Sequence, residues 1–407
     1  MNESYTPSKK ILKKYADVLV NFGLGNGEGI KKGDVVLMTT WECAKPLYAE
    51  LLKAIWKAGG HAIARYLPCD DDKYNMSKDF YNHADDCQLC FFPQQYLKGI
   101  VDVIDHQLLV ISETNMQALK GVDPKKIMKV GLSKKPYGDL LHKKEDIGKL
   151  TWVIGMYGTP AMAKEAGLSE KEYWEQITKA CFLDKKDPIA EWKKVFKQIH
   201  DYKKKLSELP IDKLHIKGPD ADLWITLGEK RKWLGGSGCN IPSFEIFTSP
   251  NWRGTNGWIK LNQPLYRYGN LIEKIELEFK NGKIIKSKAK KNNKVLKEMI
   301  ATEGANQIGE FALVDKRFSK ITKFMADSLY DENVGGPNGS MHIALGSSFH
   351  DAYTGDIKKA KKSDWKKMGF NDSSIHADII STAPRTVTSH LKDGSEKVIY
   401  ENGVFVL

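Results

Sequence analysis

Between Gly33 and Tyr157 the chain repeats one pattern, a short and nearly continuous apolar run followed by an amphipathic stretch. The runs are Val35–Thr39, Ala62–Leu67, Leu89–Phe92, Leu108–Ser112, Ile127–Gly131 and Leu150–Tyr157. Strands of this kind are apolar on both faces, so the pattern predicts a mostly parallel sheet covered by helices such as Ala44–Lys57. A helix over Pro7–Phe22 precedes it, with apolar residues at helical spacing, and Gly23-Leu-Gly-Asn-Gly-Glu-Gly29 ends that helix. These glycines follow a helix, whereas a dinucleotide fingerprint follows a strand, so they read as a flexible turn. Helices over Glu170–Cys181 and Pro188–Leu209 close this half, the second carrying Trp192, Val195, Phe196, Ile199 and Tyr202 on one face and stopped by Pro210.

The pattern then changes. Leu223–Leu227, Trp258–Lys260, Ile272–Phe279 and Lys283–Ala289 read as antiparallel strands, and Asn281-Gly282 is a strong two-residue hairpin signal. A helix at Val295–Ile300 interrupts them. Glycine-flanked segments Ile308–Val314, Ser340–Phe349 and Ile375–Ser381 follow, and a meander of Val387–His390, Lys397–Tyr400 and Val404–Leu407 ends the chain. At 407 residues the chain exceeds what one hydrophobic core usually supports. The expected division is an α/β amino-terminal domain, 1–209, and an α+β carboxyl-terminal domain with antiparallel strands, 210–407.

Composition excludes several classes. No apolar run approaches the roughly 20 residues needed to span a bilayer. The amino terminus, Met1 to Lys10, has no apolar segment of the signal-peptide kind, so a cytoplasmic protein is expected. The net charge of +12 raises nucleic acid as a partner, but the lysines, densest at Lys283–Lys294 and Lys358–Lys367, lack the interleaved aromatics of a single-strand platform. They read as solvated faces, with no nucleic-acid partner. Six cysteines in so long a chain make no disulfide scaffold. Cys87-Gln-Leu-Cys90 has the spacing of half a zinc site without a second pair, and it reads as part of a buried strand.

Candidate chemistry gathers in the second half. His376 and Asp378 stand two apart at the start of an expected strand, which puts an imidazole and a carboxylate on one face. Glu245 lies between two phenylalanines in Cys239-Asn-Ile-Pro-Ser-Phe-Glu-Ile-Phe-Thr-Ser-Pro250. Glu310 and His342 lie in apolar strand patterns, where an unpaired polar group is costly. Each alone reads more simply as a wet strand face or a satisfied core histidine. Together, three carboxylates and two imidazoles match what two neighbouring divalent ions require when a carboxylate bridges them, an arrangement suited to hydrolysis.

Four ordered segments carry a resemblance: Asn240–Pro250, Glu303-Gly-Ala-Asn-Gln-Ile-Gly-Glu310, His342-Ile-Ala-Leu-Gly346 and Asn371-Asp-Ser-Ser-Ile-His-Ala-Asp378. They resemble the motifs of the aminopeptidase T/aminopeptidase S family of metallopeptidases, and Tyr15–Leu24, Ala163–Leu168 and Asp187–Trp192 extend the likeness through the first half. The resemblance implies a homodimer that removes amino-terminal residues from short peptides. It implies two divalent metal ions (Zn, Co or Mn) on Glu245, Glu310, His342, His376 and Asp378. Glu245 is the expected bridge, and Glu310 the expected general base as well as a ligand. One position departs: the family has a tyrosine seven residues after the equivalent of His342, and this chain has Phe349, with Tyr353 and His350 as possible substitutes. Ser381-Thr-Ala-Pro-Arg385 also differs from the family's usual glycine and acidic residues. Three alternatives follow: a mononuclear Fe(II) ring-cleaving dioxygenase of the related dihydroxypyridine type, using His342, His376 and Asp378; a catalytically weak homologue; or a non-catalytic binding protein.

Overall fold

The computed structural model describes residues 5–71 and 73–407, so Met1–Ser4, part of the segment read above for a signal peptide, lie outside the described residues. Four strands, β1 (Val35–Trp41), β2 (His61–Leu67), β3 (His106–Ile111) and β4 (Thr151–Met156), form a parallel sheet in the order β2-β1-β3-β4. Helices connect them, as the first half of the sequence requires.

Two expected strands are not strands. Ile127–Gly131 falls inside the helix Pro124–Asp146, which Asp123 caps by accepting the Lys125 amide, with Pro124 in the first turn. Ile127 and Val130, three apart, supply its buried face, and the cap overrides the short apolar run. Leu89–Phe92 follows a reciprocal Asp85–Gln88 capping box that starts the helix Asp86–Leu89. Only Leu89 of that helix is buried, and Cys87 and Cys90 are exposed, not core hydrophobes. Nor is Gly23–Gly29 a loose turn: a π-helical turn Leu19–Gly23 runs into a 3₁₀ turn Leu24–Gly27, with Leu24 fully buried.

The remaining strands are antiparallel. They are β5 (Ile211–Gly218), β6 (Ala221–Thr226), β7 (Glu245–Thr248), β8 (Asn251–Leu261), β9 (Leu265–Arg267), β10 (Asn270–Ile272), β11 (Ile275–Lys280), β12 (Lys283–Lys288), β13 (Ile308–Val314), β14 (Ser340–Gly346), β15 (His376–Ser381), β16 (Thr386–Leu391), β17 (Glu396–Glu401) and β18 (Val404–Phe405). Eight make one sheet in the order β12-β11-β8-β6-β5-β16-β17-β18, four make a second, β15-β14-β13-β7, and β9 pairs with β10 alone. Asn281 and Gly282 both take positive φ between Lys280 and its partner Lys283, the two-residue turn their identities demand. β12 is an edge strand, and its lysines include Lys286, paired with Glu278 at 2.7 Å. Charged side chains on an edge discourage pairing with another chain.

The two halves share a core. Trp192, on the helix Pro188–Glu208, is fully buried between Phe182 (ring centroids 5.0 Å), Phe196 (5.8 Å) and Phe244 (5.3 Å, stacked). Phe244 immediately precedes Glu245, so this aromatic cluster from the first half sets where the second half's first candidate carboxylate stands. Truncating a buried tryptophan costs about 3–5 kcal/mol. Trp192→Ala is expected to lose stability of that order in urea melts of the metal-free protein, and a loss under about 1 kcal/mol contradicts this placement.

Candidate metal centre

All five predicted ligand residues arise from one four-stranded sheet, and register explains their convergence. Ala344 of β14 pairs with Glu310 of β13 on one side and Asp378 of β15 on the other. His342, two residues before Ala344, shares its face. Gly346, two residues after, pairs with His376. Glu245 of β7 pairs with Val314, four residues along β13 from Glu310 and therefore on the same face. Ala344 and Gly346 keep the middle of this face low, which lets longer side chains from the flanking strands meet above it. A Cβ at Gly346 (φ +107°) would run into the Ile375 carbonyl, so glycine is needed opposite His376.

The side chains meet. His342 Nε2 lies 3.2 Å from Glu310, 3.5 Å from Glu245 and 3.9 Å from Asp378. His376 Nε2 lies 3.4 Å from both Glu310 and Asp378, while its Nδ1 faces the Ser347 carbonyl at 3.0 Å. Ser243 donates to Glu245 at 3.2 Å. Glu245, Glu310 and His342 are buried, and their ligand atoms fall within 4.8 Å of one another. The ligand atoms of Glu310, His376 and Asp378 also fall within 4.8 Å of one another, with His376 and Asp378 half-buried, so Glu310 is common to two triads. Glu245, the bridge expected from the sequence, falls in one of these two groups, and Glu310 falls in both.

A third triad includes a residue the sequence reading missed. Glu332, buried at the carboxyl end of a short helix (Ser328–Asp331), joins His342 and Asp378 within the same 4.8 Å. Its neighbour Asn333 accepts from the Phe244 amide at 2.6 Å and donates to the Leu329 carbonyl at 3.1 Å, which ties this loop to the strand bearing Glu245. The available signal was Asp331-Glu332-Asn333, three polar residues after the apolar pair Leu329-Tyr330.

Electrostatics show what such a cluster lacks. Burial raises Glu245 to about 7. It raises Glu332 well above the carboxylate range, with the charges of Glu245, Asp378 and Glu310 adding to the effect. Burial also opposes ionisation of Glu310 and Asp378, but both are held low, Glu310 by hydrogen bonds from the two imidazoles and Asp378 by His376, His342 and the charge of Arg267. Against its burial, His342 is pushed up to about 9, first by the Glu310 bond and then by the surrounding carboxylate charge. Three buried carboxylates and the half-buried Asp378 face two imidazoles, and this excess of negative oxygen donors beside imidazole nitrogens suits divalent cations.

The positions of doubtful role separate cleanly. Phe349 lies against His376 (ring centroids 5.0 Å) and Phe247 (5.5 Å), at the edge of the centre. His350 instead stacks on Trp365 at 4.1 Å and is lowered to about 4 by burial, and Tyr353 sets its ring edge against Trp365 and Phe370. Arg385 is buried and donates to Ser381 (2.6 Å), the Ala383 carbonyl and Asp220, so it clasps its own loop.

A parallel α/β region joined to an antiparallel sheet that gathers buried carboxylates around imidazoles defines a metal-dependent hydrolase. The chain belongs to the thermophilic metalloprotease (M29) family, whose sequence pattern matches residues 8–405. Among its relatives, Aminopeptidase AmpS of Bacillus subtilis is 28% identical over 416 residues, covering 96% of this chain and 97% of that protein. Aminopeptidase T of Thermus thermophilus is 29% identical over 319 residues, covering 74% and 76%. The solved structure of wild-type AmpT from Thermus thermophilus matches with a TM-score of 0.81 at 25% identity, over 98% of this chain and 100% of that one.

The raised groups give the metal-free protein a pH dependence of defined sign. A histidine whose folded pKa is about 9 stabilises the fold fully below its unfolded value near 6.5, and that contribution is lost as pH rises toward 9. Glu245, raised by burial, acts in the same direction between its ordinary range and about 7. Metal reverses the trend, because ligands must shed protons to bind it. Thermal melts from pH 6 to 9 should therefore show the chelated protein losing stability with rising pH and the Zn²⁺- or Mn²⁺-saturated protein gaining relative to it; parallel curves contradict the assignment.

Proposed function

We propose that this protein is a metal-dependent aminopeptidase that removes amino-terminal residues from short peptides, using two divalent ions held by Glu245, Glu310, His342, His376 and Asp378, with Glu332 as a further ligand. The observation that carries this reading is Glu310, shared by two ligand triads on one sheet face. The residues fit such ions by donor type, by convergence and by their excess of buried negative charge. When bound, a divalent pair (Zn, Co or Mn) supplies an acidified water and a polarised scissile carbonyl. Glu310 accepts the proton of the attacking water and is placed to return it to the leaving amine. His342 and His376 orient that carboxylate from either side, at 3.2 and 3.4 Å. Ser347, through its carbonyl, fixes the His376 ring so that Nε2 faces the centre. Phe349 closes the edge beside His376 with an apolar ring that excludes water and donates no hydrogen bond.

A homodimer and a cytoplasmic location complete the proposal; among the described residues, no helix is long and apolar enough to cross a membrane. A single-iron oxygenase needs only His342, His376 and Asp378, and leaves the buried Glu245, Glu310 and Glu332 unexplained. Two metal ions per chain, counted by atomic emission, support the peptidase, and one iron supports the oxygenase.

The direct test is hydrolysis of a panel of aminoacyl anilides with Co²⁺, Mn²⁺ or Zn²⁺, and no turnover with any ion defeats the reading. Glu310→Gln should lower kcat by about 10²–10⁴ with the fold intact by circular dichroism. Restoring a donor at the edge, Phe349→Tyr should raise kcat, by up to about 10² if its hydroxyl reaches the developing oxyanion. A decrease in both kcat and metal content would instead show that the phenyl ring is needed for packing.

A further inference from the structure

The carboxyl ends of β1 and β2 carry two cysteines that the metal centre does not use. The last pair in the parallel register of these strands is Trp41 with Leu67, and Cys43 and Cys69 each stand two residues beyond it. Neighbours in such a register lie about 4.8 Å apart, inside the roughly 4.4–6.8 Å that a disulfide spans between Cα atoms. A 3₁₀ turn, Glu42–Ala44, takes Cys43 out of the strand, yet the two residues have not parted: the Cys43 amide donates to Cys69 Sγ at 3.2 Å. Cys69 is held there from both sides. Tyr66, three residues before it, donates from its hydroxyl to the Glu42 carbonyl at 3.3 Å, and the carbonyl of Asp70, the next residue, accepts from Thr114.

Both cysteines are free and half-buried, so a small reagent can reach them. Burial pushes the Cys43 thiol up to about 12; the Ser112 hydroxyl opposes that rise, and the neighbouring Cys69 sulfur adds to it. Cys43 therefore stays protonated, and Cys69 is the sulfur left to react first. What a link would fasten is the edge of the parallel sheet. Among the described residues β2 pairs with β1 alone, and its Ile63, Tyr66 and Leu67 are exposed. A strand so little covered depends on its one ladder, and its carboxyl end is where that ladder stops.

We propose that Cys43 and Cys69 form a dithiol modification site, oxidised to a disulfide by small disulfides of the glutathione type and restored by thiols, and that the link pins β2 to β1. Cys69 gives up its proton and its thiolate attacks one sulfur of the small disulfide; that S–S bond breaks, a mixed disulfide forms on Cys69 and one small thiolate leaves. Cys69 then carries no charge, which removes its part in holding the Cys43 proton. Cys43 loses this proton, its sulfur attacks the Cys69 sulfur, and the second small thiolate leaves. The two small thiolates take up the two protons, so two protein thiols are oxidised and one small disulfide is reduced to two thiols. In a reducing compartment such a link is transient, and the site answers to the thiol poise of its surroundings. It lies outside the metal centre and stands whatever that centre hydrolyses.

The test uses the full-length, Mn²⁺-loaded protein, since manganese prefers carboxylate oxygen to thiolate. The chain has six cysteines, all free, and Cys87→Ser with Cys90→Ser removes the exposed pair and leaves four. Incubated with oxidised glutathione and then unfolded for thiol titration, this variant should fall from four titratable thiols to two. Mass spectrometry should find its tryptic peptides bearing Cys43 and Cys69 joined, with the loss of two hydrogens, and dithiothreitol should separate them. The same joined peptides should appear in the wild type, so the result does not hang on the variant. With Cys43→Ser added, Cys69 should instead retain its glutathione adduct. Hydrogen exchange at β2 should be at least about 10-fold slower in the oxidised protein than in the reduced one. No loss of thiols, a persistent adduct on Cys69 while Cys43 is present, or a link to Cys181 or Cys239 overturns the site. A link that forms and leaves exchange at β2 unchanged overturns the pinning.

Discussion

The burial of negative charge on one face of the four-stranded sheet is the constraint around which the rest is arranged. Taking an isolated carboxylate out of water costs several kcal/mol even after relaxation, and here Glu245, Glu310, Glu332 and Asp378 share one small region with only two imidazoles inside it. Such a grouping persists only if cations complete it or protons neutralise it. In the metal-free state protons do part of this work, which is why Glu245, Glu332 and His342 all hold theirs more tightly than usual.

A scaffold that imposes this cost has to be stiff, and the stiffness comes from several directions. Small residues in the middle strand, Ala344 and Gly346, make the hollow, and the flanking strands supply the long side chains that reach into it. Phe244 is pinned by the stacked ring of Trp192 on one side and by the Asn333 side chain on the other, which fixes the segments carrying Glu245 and Glu332 in one operation. The first half of the chain therefore helps to build the centre, and among the described residues it contributes none of the clustered carboxylates and imidazoles.

How much of this could be read from the sequence follows from how local each signal is. His376 and Asp378, two apart, declare a shared strand face by themselves, and Asn281-Gly282 declares its turn, because two adjacent residues fix both. Glu310 and His342 sat in apolar strand patterns, where a polar group stands out. Glu332 escaped because a polar loop residue is the ordinary case, and only the fold reveals that this loop is buried. Ile127–Gly131 failed in the opposite way, since five apolar residues fit either period and the deciding cap, Asp123-Pro124, lay outside the run.

The edge of the centre beside His376 bears on how the site can work. Beside His376 stands Phe349, which fills space and offers no hydrogen bond. A centre that depended mainly on a donor at the Phe349 position would be poorly served by a phenyl ring. One that gains its grip on the substrate elsewhere tolerates it better, because binding energy realised away from the reacting carbonyl can position that carbonyl as well as a direct contact can.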